Sequence, residues 1–201
     1  MKETNGIKEC MEFLIKCDDM KDIKRRNLNI SSRRRENDAE HSWSLSMMAI
    51  TLYEFAAEKV NLERVLKMVT VHDLVELYAG DVFAYDSERN IGKAQREAEA
   101  ADKLFSMLPE YKGTELRQLW EEFDRMDTPD SRYAAACDRL QPLINNFFTE
   151  GHTWQQYGVH PDSVLKRNEV VKTAIPDMWK VVEYFVAEGK RLGYFDKALK
   201  K

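Results

Sequence analysis

The sequence predicts an all-α protein organised as a single domain. Apolar residues recur at helical spacing along most of the chain, and neither strand-like alternation nor a tight hairpin signal interrupts them. The 201 residues are 43% hydrophobic and 33% charged, a composition that can bury one core. We expect one domain over residues 1–201, with the core at about 14–150 and C-terminal helices at about 161–193 packed on it.

Composition and charge exclude several classes of function. The chain has no apolar run of about eighteen residues, no secretory pattern and no lipidation signal, so we expect no membrane association. Its three cysteines cannot all pair with one another, which favours a reducing, cytoplasmic location. A formal net charge of −4 argues against binding to a nucleic-acid backbone.

The first helix is predicted at residues 4–19 as an amphipathic segment that packs on later elements. Five apolar residues fall on one stripe of this helix. They are Ile7, Cys10, Met11, Leu14 and Cys17.

Two basic clusters follow, at residues 24–26 and 33–35. They fit either a solvated loop or a phosphate clamp, because a planar guanidinium matches phosphate oxygens in a fork. The second cluster leads directly into Asn37 and Glu40, which form a capping-box pattern and open a helix. His41 therefore lies in the first turn of that helix, as a candidate ligand at the rim of a pocket.

Residues 62–86 form the segment on which the functional prediction rests. Asn61 is suited to start a helix and Gly80 to end it, and helical spacing places His72, Asp73 and Glu76 on one face. Burying these charges costs several kcal/mol unless they are compensated, and a divalent metal is an effective compensation.

The remaining helices contribute one further candidate. Helices predicted at 91–108 and 115–124 suit core packing, whereas the helix at 130–148 carries Asp138 within an alanine-rich run. A buried aspartate side chain needs a partner. Pro142 also lacks the N–H that would donate to the backbone carbonyl of Asp138, so we expect the helix to bend at that residue. Asp81 follows Gly80 in a loop as either a turn residue or a site residue.

The last third is predicted as loops at 151–154 and 158–161 with helices near 162–172 and 176–192. His152, Trp154 and His160 either line a pocket or are incidental loop residues.

His41, His72, Asp73 and Asp138 together provide two imidazoles and two carboxylates from three helices. This mixed nitrogen and oxygen set suits one divalent ion such as Mn, Co, Ni, Fe, Zn or Mg. Such an ion polarises a phosphoryl oxygen and activates water. Glu76 is placed to hold that water or accept its proton.

The ordered pattern His41, His72-Asp73, Asp138 resembles the signature of the HD-domain metal-dependent phosphohydrolases, in the bacterial branch close to the 5′-deoxynucleotidases. The similarity spans about residues 14–193 and includes the segments at 34–43, 72–76, 79–86 and 138–142. It implies an HD-type helical bundle, one catalytic metal held by those four residues and often a homodimer.

By the same resemblance, Glu76 and Asp81 are the catalytic carboxylates, with Asp81 contacting the sugar of a nucleoside monophosphate. Arg26 occupies the place of a phosphate-binding arginine, although Asn27 follows it where the deoxynucleotidases have tryptophan. Arg34 and Arg35 are further candidates for substrate binding.

The function predicted from these features is a metal-dependent phosphomonoesterase acting on a small nucleotide, a (deoxy)nucleoside 5′-monophosphate. One alternative is a hydrolase of pyrophosphorylated or cyclic nucleotides. The other is a non-catalytic nucleotide-binding HD module, which would bind nucleotide without turnover.

Overall fold

The computed structural model describes residues 4–86 and 91–196, and only the backbone of residues 4 and 5. The described residues form helices and one two-stranded antiparallel sheet, which confirms the predicted all-α class. Within these ranges, no helix has both the length and the hydropathy needed to cross a bilayer. In chain order the elements are α1 (Thr4–Asp18), β1 (Lys24–Leu28), β2 (Arg35–Asn37), α2 (Asp38–Thr51), α3 (Leu62–Val71), α4 (Glu76–Ala79), α5 (Lys93–Phe105), α6 (Glu110–Arg125), α7 (Pro129–Phe148), α8 (His152–Tyr157), α9 (Pro161–Arg167), α10 (Glu169–Ala174) and α11 (Pro176–Arg191).

Helix α7 is the central element, and α2, α3, α6, α10 and α11 all pack against it. Its buried face carries the small residues Ala134, Ala135 and Ala136, which allow neighbouring helices to approach closely. The hydroxyl of buried Tyr133 donates to the carbonyl of Ala49 at 2.9 Å and ties α7 to α2. Residues on the inner face of α7 therefore lie among several helices at once.

The helical periodicity of α2 and α3 correctly predicted their buried faces. Leu45 and Ala49 of α2, and Val65 and Val69 of α3, are fully buried. Phe55 is half exposed, because α2 ends at Thr51 and Phe55 lies in a short 3₁₀ turn.

The apolar stripe of α1 is not the packing face that its spacing predicted. Phe13 is the buried residue of this helix, and Cys10 and Cys17 are partly buried against the core. The other members of the stripe are largely exposed. They are Ile7, Met11 and Leu14.

The strands β1 and β2 were missed from the sequence, where their residues were assigned to a basic loop and a polar turn. They pair antiparallel, with Lys24 opposite Asn37 and Leu28 opposite Arg35. The inner residues of this hairpin are polar or charged, so it lacks the apolar alternation by which strands are recognised. The polar hairpin packs against α7, the helix that carries Asp138.

The single helix predicted from Asn61 to Gly80 is interrupted at residues 72–75. In this turn the backbone N–H groups bond three residues back, as in Leu74 to Val71 at 3.1 Å and Glu76 to Asp73 at 2.9 Å. The tighter winding changes the directions of the side chains that it carries. His72 and Asp73 therefore lie in a turn between α3 and α4.

The C-terminal third differs from the prediction in two places. Residues 152–154, predicted as part of a loop, belong to α8, whose preceding Gly151 adopts a left-handed conformation with φ of 70°. The helix predicted at 162–172 is divided into α9 and α10 at Asn168, whose side-chain amide donates to the Val164 carbonyl at 2.9 Å. Both changes bring side chains of this region against the hairpin and α7.

We expect Gly113→Ala to destabilise the fold, although alanine is the better helix former by about 1 kcal/mol. A Cβ at Gly113 would lie 2.3 Å from the backbone oxygen of Phe105, so α5 and α6 would have to separate. Overpacking of this kind costs about 1 to 3 kcal/mol. Gly6→Ala is the matched control, because its Cβ would meet only Pro109 Cγ at 3.5 Å. Chemical denaturation should give a lower unfolding free energy for Gly113→Ala alone, and equal stabilities would contradict the close approach.

Candidate metal centre and substrate cavity

His41 is fully buried in the first turn of α2, rather than at a pocket rim as predicted. The capping box between Asn37 and Glu40 fixes the start of this helix and so the position of His41. Its Nδ1 lies 3.0 Å from Gln141 Oε1, and its Nε2 lies 3.0 Å from Asp138 Oδ1.

The protonation of His41 follows from these partners. Gln141 Nε2 donates to Glu36 Oε1 at 2.6 Å, and this bond fixes the orientation of the amide. The oxygen of Gln141 then faces His41 and can only accept, so Nδ1 carries the hydrogen. The lone pair of Nε2 is left pointing toward the carboxylate of Asp138, an arrangement that attracts a cation.

His72 has the same arrangement. Its Nδ1 lies 3.0 Å from the carbonyl of Val69 and donates to it, which leaves Nε2 buried with no hydrogen-bond partner in the described structure. Nε2 is 3.0 Å from Asp73 Oδ2 and 3.7 Å from Asp138 Oδ1. Burial lowers the pKa of His72, but the carboxylates of Asp73 and Asp138 outweigh it and raise the pKa to about 10, so the cluster favours a positive charge at Nε2, which a bound metal ion would supply in place of a proton.

Asp73 and Asp138 remain ionised despite their burial. Burial raises the pKa of Asp73, but His72 and Arg25 together hold it below its usual range. Burial likewise opposes the ionisation of Asp138, and Arg139, His41 and His72 hold its pKa well below the usual value.

The structure thus brings the four predicted metal ligands together. One ligand atom each from His41, His72 and Asp73 lies within 4.8 Å of the others, and Asp138 contacts both imidazoles. Two nitrogen and two oxygen donors with no thiolate suit a borderline or hard divalent ion. The unpartnered Nε2 of His72 is the strongest sign that this cluster fits a cation.

Arg25 of β1 is a central residue of the site that the sequence analysis did not select. Its Nη1 donates to Asp73 Oδ2 at 2.6 Å and to Asp38 Oδ1 at 3.4 Å, and its Nε lies 3.7 Å from Glu36 Oε2. The only sequence signal was its place in the basic run at residues 24–26, where Arg26 was chosen instead. Arg25 balances the carboxylates around the two imidazoles.

Glu76 belongs to a second group of carboxylates, with Asp38 and Asp73, whose ligand atoms also lie within 4.8 Å of one another. Burial and the charges of Asp73 and Asp38 raise the pKa of Glu76 well above its usual value. Burial and the charge of Asp73 raise the pKa of Asp38 to about 7. Oε2 of Glu76 is buried without a partner in the described chain, so it can accept a hydrogen bond from a bound molecule.

Asp73, Glu76 and Asp138 line a cavity of about 170 Å³ that opens to solvent. Charged side chains from several elements line it. They are Arg25, Arg26, Asp73, Glu76, Asp81, Lys93, Asp138, Arg139 and Arg167. The apolar part of the lining includes Phe83, which packs on Tyr85 and Tyr157 with ring centroids 5.3 and 4.8 Å away.

Among the predicted substrate residues, Arg26 and Asp81 line this cavity, whereas Arg34 and Arg35 do not. Arg34 pairs with Glu40, and the Nε of Arg35 donates to the carbonyl of Arg25 at 2.6 Å. Both arginines are therefore engaged in contacts that hold the hairpin. A substrate role for them stays a prediction without support from this geometry.

Of the three C-terminal loop candidates, only Trp154 lines the cavity, and it is buried and stacked on Phe195 with ring centroids 4.5 Å apart. His152 is exposed. His160 caps α9 by accepting from the Asp162 N–H at 3.3 Å and lies at a separate hollow beside Tyr157.

With the geometry in place, comparison with known proteins gives a consistent result. A family model described as an HD domain matches residues 17–179. The chain belongs to the HD domain family. The predicted resemblance is thereby confirmed.

A solved HD-domain relative covers almost the whole chain. The crystal structure of a predicted metal-dependent phosphohydrolase from Magnetospirillum magnetotacticum MS-1 has 39% identity, a TM-score of 0.90 and coverage of 98% of each chain. The PH0347 protein of Pyrococcus horikoshii OT3, at 19% identity and a TM-score of 0.65, shares the fold.

Curated relatives of this HD-domain chain are named 5'-deoxynucleotidase HDDC2. The protein of Danio rerio is 31% identical over 109 residues, which cover 54% of this chain and 53% of the relative. The human protein is 24% identical over 141 residues, which cover 70% of this chain and 68% of the relative. The chain thus spans about half the length of the zebrafish relative.

We expect Gln141→Leu to weaken binding of Mn²⁺ about 10- to 100-fold, as loss of a residue that orients a metal ligand commonly does. The substitution leaves Nδ1 of His41 without its acceptor and Glu36 without a donor. Competition with a fluorescent chelator measures the affinity. Gln155→Leu is the control, because that amide donates to the Glu150 carbonyl away from the cluster. Equal affinities in the two variants would remove Gln141 from the support of His41.

Proposed function

We propose that this protein is a metal-dependent phosphohydrolase that releases phosphate from (deoxy)nucleoside 5′-monophosphates. The observation that carries the proposal is the buried cluster of two imidazoles and two carboxylates, whose carboxylates line a cavity together with arginines. Membership of the HD domain family and the relatives named 5'-deoxynucleotidase support the same reaction class.

In this proposal His41, His72, Asp73 and Asp138 hold one divalent ion, chosen from Mn, Co, Ni, Fe, Zn and Mg. When bound, such an ion polarises a phosphoryl oxygen and lowers the pKa of a water molecule. The tautomers support this role, since both imidazoles donate from Nδ1 and keep Nε2 for the cluster.

Glu76 serves as the general base of the proposed reaction. Its unpartnered Oε2 accepts a proton from the attacking water as the new P–O bond forms and the ester P–O bond breaks. The same proton can then pass to the oxygen that leaves as the 5′-hydroxyl of the nucleoside. The raised pKa of Glu76 suits a carboxyl that both takes and returns a proton.

Arg26 and Asp81 are proposed to contact the substrate. The guanidinium of Arg26 lies over the ring of Tyr157, 5.5 Å from its centroid, and its Nε is buried without a hydrogen-bond partner in the described chain. A phosphate oxygen would satisfy that donor. Asp81 follows the end of α4 and lines the cavity, where a carboxylate can accept from a sugar hydroxyl.

The decisive experiment measures phosphate release from ribo- and deoxynucleoside 5′-monophosphates by protein stripped of metal and reloaded with each candidate ion. We expect turnover with the wild type, and a loss of about 100-fold or more in Glu76→Gln at unchanged metal content. His72→Ala should lose metal and activity together. Full activity in Glu76→Gln would remove its role as a base. If no phosphate is released from monophosphates but di- or cyclic nucleotides are hydrolysed, the proposed substrate class is wrong.

We also propose a cytoplasmic homodimer. The cytoplasmic location is supported by the three cysteines, which remain unpaired as in a reducing compartment. The dimer is supported by α2, which exposes Trp43, Met47 and Ile50 on one outer face. Trp43 is 67% exposed, which suits burial against a second copy of the chain. We expect sedimentation analysis to give a dimer and Trp43→Asp to shift it to monomer. A wild-type monomer at micromolar concentration would contradict the dimer.

A further inference from the structure

The charges that line the cavity are mostly paired with one another. Arg25 is bonded to Asp73, Arg139 to Asp138, and Lys93 to Glu97 outside the lining. These pairs compensate charge within the protein and leave little net attraction for a ligand.

Two guanidinium groups of the cavity do not follow this pattern. In the described part of the chain, Arg26 and Arg167 have neither a side-chain hydrogen bond nor an ion pair through their guanidinium groups. Phosphate binding by Arg26 is a prediction from the sequence, whereas no motif marks Arg167, the last residue of α9.

Arg167 is partly buried, and its pKa is affected by another cation. Burial and the charge of Arg139 lower the pKa of Arg167 to about 10, and Asp138, Tyr85 and Arg25 are the other groups that act on it. Its guanidinium still carries a proton at neutral pH. Two neighbouring cations in a partly desolvated cavity are unfavourable unless an anion lies between them or beside them.

The position of Arg167 indicates which anion this is. Arg167 and Asp138, one of the proposed metal ligands, line the same cavity. A group bound to the cluster and also in reach of Arg167 would be the phosphoryl group rather than the distal base of a nucleotide. A guanidinium fork matches the oxygens of such a group.

We propose that Arg167 is a phosphate-binding residue, which donates hydrogen bonds to the phosphoryl group of a phosphate monoester in this cavity. This inference rests on the proposed function for the identity of the reaction. It adds a residue of α9 to a site otherwise built from β1, α2, α7 and the turn between α3 and α4.

A structural role for Arg167 predicts different behaviour. A cation in the last turn of a helix interacts favourably with the helix dipole, and Lys166 lies in the same turn with an exposed side chain. If the dipole were the reason for Arg167, neutralising Lys166 would have a similar effect on stability, and neither change would alter anion binding.

The test measures binding of inorganic phosphate to the metal-loaded protein by calorimetry, which needs no turnover. We expect Arg167→Met to weaken phosphate binding about 10- to 100-fold at unchanged metal content, the effect of losing a charge-assisted hydrogen bond. Arg167→Lys should recover part of the loss, because it keeps the charge but not the fork. Lys166→Met should bind phosphate as the wild type does.

Kinetics separate the failure of this inference from failure of the proposed function. If nucleotides are hydrolysed, the KM of Arg167→Met should rise by a similar factor and that of Lys166→Met should not. Arg167→Met with wild-type phosphate affinity and KM would overturn the inference and leave the function intact. An Arg167-dependent phosphate affinity without nucleotide turnover would keep the inference and overturn the function. If Arg167→Met does not fold, the phosphate affinity of Arg167→Lys is the deciding measurement. A wild-type affinity in Arg167→Lys would overturn the proposal that the guanidinium binds phosphate through its two-pronged geometry.

Discussion

The contact between Asp138 and the imidazoles of His41 and His72 is the constraint on which this structure depends. An ionised carboxylate in the middle of the most buried helix costs several kcal/mol unless opposite charge surrounds it. Arg139 of α7 supplies part of this charge, and the rest comes from outside the helix, since α2 supplies one imidazole and the turn after α3 supplies the other. Helices α2 and α3 must therefore pack on α7 in one register, and the alanines of α7 allow them to approach closely enough.

A second set of contacts links the ligands through the hairpin. Gln141, one turn after Asp138 on α7, bonds both His41 and Glu36, and Glu36 in turn lies beside Arg25. Arg25 donates a hydrogen bond to Asp73, which is itself one of the four proposed metal ligands. Because each polar group has a partner on another element, moving one of them would leave a buried group unsatisfied. The hairpin is thus part of the site, although its sequence reads as a solvated basic loop.

Much of the site could be predicted from signals within a few residues of the sequence. The residues that were not predicted depend on contacts between segments distant in sequence. The capping box placed His41 in the first turn of α2, and the alanine run made Asp138 conspicuous, because both signals lie within a few residues. The interruption at residues 72–75 has no such mark, since neither glycine nor proline occurs there. The role of Arg25 depends on Asp73, and that proposed for Arg167 depends on its place in a cavity lined by residues distant in sequence, so composition could not separate either from surface cations.

The proposed recognition of an anion by a chain with a net charge of −4 depends on how the charges of the cavity pair, and not on the sum over the chain. Asp73 and Asp138 are engaged by the imidazoles, by Arg25 and by Arg139, which reduces the repulsion that these two carboxylates present to a phosphate. Arg26 and Arg167 have no such engagement in the described structure and keep their hydrogen-bonding capacity for a ligand. An anion completes the pairing of the cavity, whereas a neutral nucleoside leaves both guanidinium groups unsatisfied. The proposed preference for a phosphorylated molecule over a neutral nucleoside therefore follows from the same charge balance that allows Asp138 to be buried.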